Sequence, residues 1–225
     1  MRKRVGGAGP RLPCRGISSL REAGLGKSAV NLNPMPVPGR WRDGFVLDYH
    51  TTGSTYLGDD EFGHPVFDTK RTELGELLYR LKYRSDTAVV AALVAAALGF
   101  LRSWNPGATL LVPVPPSRKT RPQQPVLILA EELGRQLKLP VRPDAVALVK
   151  DMPELKNVYD YNARSRLLAD AYRVDVSVTS GQVILLFDDL YRSGATMNAI
   201  GRALYDVGQV HDVVALALTR TRSKT

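Results

Sequence analysis

The chain has 225 residues, 44% hydrophobic and 24% charged, the balance of an ordinary soluble protein long enough for one large domain or two small ones. Its one cysteine, Cys14, excludes an internal disulfide framework and a cysteine-based zinc site, and His50, His64 and His211 show no ligand spacing, so an intracellular, cytoplasmic protein is expected. The net charge of +9 is unevenly placed: residues 1–42 hold nine Lys/Arg against one acid, Glu22, a balance of +8, whereas residues 43–225 hold 22 basic and 21 acidic residues.

The basic excess therefore describes one end of the chain. In "MRKRVGGAGPRLPCRGISSLREAGLGKSAVNLNP" (1–34) Gly and Pro punctuate a stretch with no sustained period and few large apolar residues, so a disordered basic tail is expected over residues 1–40. An arm touching nucleic acid or membrane and an Arg-rich targeting peptide are the functional alternatives. No continuous apolar run follows the N-terminal charges, which does not match a secretory signal. On this reading a chain beginning at Met35 keeps its thermal transition.

From about residue 41 the texture changes. "GFVLDYHTTGSTYLG" (44–58), rich in Val, Thr and Tyr with turn glycines, predicts one or two strands. "RTELGELLYRLKYRSD" (71–86) spaces Leu74, Leu77, Leu78, Leu81 and Tyr83 as a helix does, with Thr72 as its cap. The apolar stretch "TAVVAALVAAALGFL" (87–101) is shorter than the roughly 20 residues that span a bilayer and reads as a buried helix ending near Trp104-Asn105-Pro106-Gly107. Residues 41–107 are thus expected to form an N-terminal cap with helices, and 108–225 the core.

Within 108–225 strand and helix patterns alternate. "ATLLVPVP" (108–115), "AVALV" (145–149), "QVILLF" (182–187) and "DVVALALT" (212–219) predict strands; "PVLILAEELGRQL" (125–137) and "ATMNAIGRALYDVG" (195–208) predict helices. Continuous apolar strands in this alternation argue for an α/β fold, a parallel sheet of about five strands flanked by helices, with ligands at the carboxyl ends of its strands.

One stretch fits that last rule closely. In "VILLFDDLYRSGATM" (183–197) a buried strand delivers Asp188 and Asp189 to the sheet edge, and a short loop precedes the next helix. The loop offers backbone N–H groups at a helix N-terminus, a glycine at 194, the hydroxyls of Ser193 and Thr196 and the cation of Arg192, the parts of a phosphate cradle. Two ionised acceptors beside it suit two adjacent hydroxyls, as on a ribose, or a bound Mg2+ with its waters. A ribose 5-phosphate unit satisfies both halves; a plain acidic helix start with a routine turn is the structural alternative. Further back, "VPVPPSRKTR" (112–121) ends a strand at prolines and presents Ser117, Arg118, Lys119, Thr120 and Arg121, either as an anion site on the same edge or as a solvated turn.

The 183–197 stretch resembles the phosphoribosyl diphosphate (PRPP) motif of type I phosphoribosyltransferases, a hydrophobic run, two acids and a Thr-Thr-Gly-x-Thr-like loop. Arg192 and Ser193 stand where that motif carries threonines. The resemblance implies ribose binding by Asp188 and Asp189, and 5-phosphate binding by Leu190, Tyr191, Arg192, Ser193, Gly194, Ala195 and Thr196. It also implies diphosphate binding by Ser117, Arg118 and Lys119, and a flap from "KDMPELKNVYDYNARSRLLADAYR" (150–173) with Lys156, Arg164 and Arg166, a segment that otherwise reads as a solvated connecting helix.

"LLYRLKYRSD", "LLVPVPPSRKTR" and "LLADAYRV" are further similar to the ComF-like branch, linked with DNA uptake, the match running from about 74 to 222. That branch commonly carries a four-cysteine zinc module, absent from this sequence, and a Gly-Phe-Asn-Gln element where this chain reads "RPQQPV". The resemblance implies transfer of 5-phosphoribosyl from PRPP to a nitrogen acceptor such as a nucleobase, with Mg2+ brought by PRPP. A homodimer and DNA-processing partners are implied too. The alternative is a non-catalytic PRPP- or nucleotide-binding module acting in regulation or DNA processing, because a fold does not fix a function. No general base or other catalytic residue is assigned, and no phosphate loop, dinucleotide fingerprint or nucleophile elbow is present in the sequence.

Overall fold

The computed structural model describes residues 30–116, 123–149 and 171–222. A five-stranded sheet forms the centre, built from β1 (Met35–Pro36), β2 (Asp43–Tyr49), β5 (Leu110–Pro113), β8 (Val183–Tyr191) and β9 (Asp212–Arg220) in the order β1-β2-β9-β8-β5. The pairs β2/β9, β9/β8 and β8/β5 are parallel, and only the edge strand β1 runs antiparallel, Met35 facing Val46. All four parallel strands therefore end on one edge, at Tyr49, Pro113, Tyr191 and Arg220.

Period-two alternation splits the sheet's side chains between two cores. Phe45, Leu47, Leu111, Leu185, Phe187, Val214, Leu216 and Leu218 face helices α1 (Glu73–Arg84), α2 (Val90–Trp104) and α3 (Pro125–Leu137). Val46, Leu110, Val112, Ile184, Leu186, Val213, Ala215 and Ala217 face Met197, Ile200 and Leu204 of α5 (Ala195–Asp206), which follows the one-turn α4 (Val176–Thr179) in the chain. Strands buried on both faces read as unbroken apolar runs, which is why they were visible in the sequence. The stretch Thr87–Trp104, a 3-10 turn running into α2, is apolar enough by length and composition to cross a membrane, yet Leu93, Ala96, Ala97 and Phe100 are buried in the first core. It is a core helix, as expected.

Local chemistry fixes α1 against the sheet. The Thr72 hydroxyl accepts from the Gly75 amide at 3.0 Å as the N-cap and donates to the Tyr49 carbonyl at 2.6 Å, tying the helix start to the end of β2. Gly75 permits this approach, since a Cβ there would collide with the His50 carbonyl oxygen. The helix ends at Ser85 in the left-handed region, φ 52°.

Three expectations change. The strand expected at 145–149 forms as β6 (Val146–Leu148), but it pairs antiparallel with β7 (Tyr172–Val174) outside the main sheet. The place beside β5 is taken by residues 140–142 instead: Leu111 donates to the Pro140 carbonyl, and Arg142 donates to that of Leu111. Second, the segment read as a cap supplies β2 to the middle of the sheet. Its remaining strands, β3 (Thr51–Asp59) and the unforeseen β4 (Pro65–Arg71), make a separate hairpin that exposes Tyr56, Leu57, Phe62 and Phe67. A run with Pro65, Asp68, Lys70 and Arg71 lacked the signature of a strand.

Third, the end of the segment read as tail is packed. Val30 is 5% exposed, Leu32 lies against the first core, the Asn33 amide donates to the Leu47 carbonyl at 2.9 Å and the Asn31 amide to Glu73 Oε2 at 3.1 Å. Starting the chain at Met35 rather than Gly26 is accordingly expected to cost stability, about 1.5–3 kcal/mol for the buried valine. Equal calorimetric midpoints for the two truncated chains would return residues 30–34 to the tail.

Candidate active site

The strand that carries the acid pair is longer than its apolar run. β8 continues through both aspartates to Tyr191, with Asp188 opposite Ala217, Leu190 opposite Thr219 and Tyr191 opposite Arg220 on β9. Leu190 and Tyr191, expected in the phosphate loop, are thus paired strand residues, and the loop proper is Arg192, Ser193 and Gly194. Because neighbouring strand residues point to opposite faces, Asp189 continues the row of Leu185 and Phe187 toward α1, and Asp188 the row of Ile184 and Leu186 toward α5. The two carboxylates do not form one bidentate surface.

Asp189 is already engaged. Its Oδ1 lies 2.7 Å from Lys82 Nζ of α1, with the two side chains 11% and 13% exposed. Around this pair stand His50, whose Nδ1 is 3.3 Å from the Thr219 hydroxyl, and the fully buried Thr219, whose hydroxyl is 3.4 Å from the Asp189 carbonyl. Burial, reinforced by the Lys82 and Arg71 cations, pushes the His50 imidazole down to about 4, so it is neutral near pH 7. Burial likewise raises Asp48, which accepts from the Tyr49 amide at 2.7 Å.

Asp188 is the acid whose chemistry is most altered. Burial and the adjacent Asp189 carboxylate raise it to about 7 against the pull of Lys82, while its Oδ1 accepts from the Asp189 amide at 2.8 Å. At neutral pH the edge therefore holds, beside the Lys82–Asp189 bridge, an Asp188 carboxyl balanced between acid and acceptor.

The loop supplies the opposite polarity. Gly194 caps α5 at φ 77°, and the first intrahelical bond runs from the Asn198 amide to its carbonyl, so the amides of Ala195–Met197 open the helix toward the sheet edge. Ser193 Oγ accepts from the Ala195 amide at 3.5 Å, Thr196 is half-buried and Arg192 is exposed. A side chain at 194 would meet the Tyr191 hydroxyl and ring. Gly194→Ala is expected to cost about 1–3 kcal/mol from backbone strain alone, and more from the collision with the Tyr191 hydroxyl and ring. Urea denaturation of Gly194→Ala measures the loss; no loss would show that the loop can adopt another shape.

Ser117, Arg118 and Lys119 of the basic turn, and Lys156, Arg164 and Arg166 of the expected flap, lie outside the described residues. Lys82, His50, Asp48 and Thr219 were not foreseen. A signal for Lys82 existed: it follows Leu74 and Leu78 at four-residue steps, which sets a cation on the buried stripe of α1. Among the described residues no cluster of three or more His, Cys, Asp or Glu forms a metal cage.

No family model matches the chain, and no curated protein does. Among solved structures the chain is similar to an adenine phosphoribosyltransferase at 12% identity and a TM-score of 0.42, covering 74% of this chain and 84% of that one. The adenine phosphoribosyltransferase of Thermoanaerobacter pseudethanolicus ATCC 33223 gives 12% and 0.37, covering 74% and 95%, and that of Leishmania donovani gives 10% and 0.38, covering 79% and 83%. At such identities and TM-scores the functional argument rests on the residues of the site.

Proposed function

We propose that the chain is a type I phosphoribosyltransferase that binds PRPP at the carboxyl edge of the sheet and transfers its 5-phosphoribosyl group to a nitrogen acceptor, releasing diphosphate. The observation that carries this reading is the junction of β8 and α5, where an acid pair in a parallel strand is followed, five residues after Asp189, by the left-handed glycine that caps a helix N-terminus. The helix amides and the hydroxyls of Ser193 and Thr196 would receive the 5-phosphate, with Arg192 beside them. Asp188 would accept from a ribose hydroxyl. The ComF-like branch is favoured by "LLYRLKYRSD", the helix that brings Lys82 to the acid pair.

The diphosphate would fall to the basic turn at Ser117, Arg118 and Lys119, with the segment that precedes β7 as a flap that keeps water from the anomeric carbon. Mg2+ fits this donor set as an ion brought by PRPP: one or two carboxylates with ligand phosphates is its usual environment, and Asp188 provides one. When bound it would neutralise charge developing on the leaving diphosphate, while the chain fixes the sugar.

The test is calorimetry of PRPP with Mg2+ on the parent and on Asp188→Asn, alongside diphosphate release with a panel of nucleobases. Loss of one charge-assisted hydrogen bond predicts roughly tenfold or greater weakening. A folded Asp188→Asn with unchanged PRPP affinity would remove the ribose assignment. Binding without release across the panel would favour the non-catalytic module.

A further inference from the structure

Asn198 stands in the first turns of α5, and both heteroatoms of its side chain are engaged by backbone. Its Oδ1 accepts from the Arg40 amide at 2.9 Å, and its Nδ2 donates to the Gly194 carbonyl at 2.9 Å, an acceptor shared with the Asn198 amide at 2.8 Å. The bond to Arg40 spans 158 positions in sequence and ties the start of α5 to the turn between β1 and β2. That turn is itself anchored. The Trp41 indole, 8% exposed, donates to the Val37 carbonyl at 2.8 Å, and the Arg42 amide donates to the Val213 carbonyl of β9 at 2.8 Å. Farther along α5, Gly201 lies against the Arg40 carbonyl oxygen, where a Cβ would collide. Asparagine is a weak helix former because its side chain competes for backbone groups. At 198 that competition makes the junction, whereas an apolar side chain would bond neither group.

We propose that Asn198 is a positioning residue for the 5-phosphate loop: it locks Gly194 and the amides of Ala195–Met197 to the β1–β2 turn, so that the cradle has its bound shape before the ligand arrives. The identity of the ligand rests on the PRPP reading, whereas the lock is a property of the chain itself. Donors fixed in advance lose less conformational freedom when an anion binds, so a preset loop binds more tightly than a mobile one with the same donors. Asn198 touches neither the sugar nor the phosphate in this scheme. The Arg40 side chain takes no part either, since the bond is made by its amide.

The experiment measures 15N order parameters over Gly194–Met197, and PRPP affinity with Mg2+ by calorimetry, in the full-length parent, Asn198→Ala, Asn198→Ser, Arg40→Ala and Leu204→Val. A serine at 198 can keep a bond to the Gly194 carbonyl, as Ser103 does to the Gly99 carbonyl at 3.2 Å in α2, but falls short of Arg40. Leu204→Val lowers stability from the far half of the same helix without touching the junction. In Asn198→Ala and Asn198→Ser the order parameters should fall from about 0.85 toward about 0.6, and PRPP affinity should fall roughly tenfold. Arg40→Ala and Leu204→Val should match the parent in both, an outcome that a merely structural asparagine does not produce.

Parent-like order parameters or parent-like PRPP affinity in folded Asn198→Ala would overturn the proposal. So would equal losses in Leu204→Val or Arg40→Ala, which would trace the effect to stability or to the Arg40 cation, and so would a serine variant that behaves as the parent, since the bond to Arg40 would then be dispensable. If Asn198→Ala does not fold, Asn198→Ser decides by the same two measurements. If the parent binds no PRPP, the proposed function falls, and the order parameters still decide whether Asn198 holds the loop.

Discussion

Lys82→Met is expected to lower the stability of the fold by about 3–5 kcal/mol, and Lys82→Met combined with Asp189→Leu to recover most of that loss. The asymmetry follows from desolvation. With side-chain exposures of 13% and 11%, neither partner is well hydrated, so removing the ammonium leaves a carboxylate that has neither water nor a counter-ion. Removing both replaces an ion pair, whose attraction little more than offsets its own burial, by apolar groups beside Leu78 and Leu81. Urea denaturation of the two variants decides the matter. A cost below about 1 kcal/mol for Lys82→Met is what a solvent-screened surface pair shows, and would mean that the bridge opens readily to water.

Much of the protein could be read before its structure. Strands β5, β8 and β9 and helices α1, α2, α3 and α5 were visible because each buries a continuous run or a 3.6-residue stripe, signals that local sequence carries by itself. The acid pair and its glycine loop were visible for a related reason, being contiguous in the chain.

What escaped was every relation between distant segments. Nothing near Lys82 names Asp189 as its partner, and nothing near His50 names Thr219; both contacts exist because β2, β8 and β9 lie side by side and Thr72 pins α1 to the end of β2. The face to which each aspartate turns was hidden by the same cause. A strand taken to end at Phe187 leaves the acids in a loop, free to converge on one ligand, whereas a strand continuing to Tyr191 alternates them. The backbone of β9 extends the strand, since Thr219 and Arg220 offer pairing partners to Leu190 and Tyr191. β6 was misplaced in the same way: its residues are strand formers, but the edge of β5 was already taken by residues 140–142.

The pH dependence of stability is where His50 and Asp188 should show themselves, with opposite signs. His50 falls from 6.5 to about 4 on folding, so the unfolded chain binds the extra proton between those values; its contribution is complete above pH 6.5 and is lost as pH drops through 4. Asp188 rises from 3.8 to about 7, so there the folded chain binds the extra proton; its contribution is complete below pH 3.8 and is lost as pH climbs through 7. Each slope is roughly 1.4 kcal/mol per pH unit for one proton, and over the shared window they oppose each other. Differences between variants cancel the other titrating groups. Relative to the parent, His50→Gln should gain stability steadily as pH falls from 6.5 toward 4, and Asp188→Asn should gain it as pH rises from 4 toward 7. Urea denaturation at half-unit pH intervals reads both slopes. A His50→Gln difference that stays level across that window would place a protonated, solvated imidazole at position 50 of the folded chain, and a level Asp188→Asn difference would mean that burial does not hold a proton on Asp188.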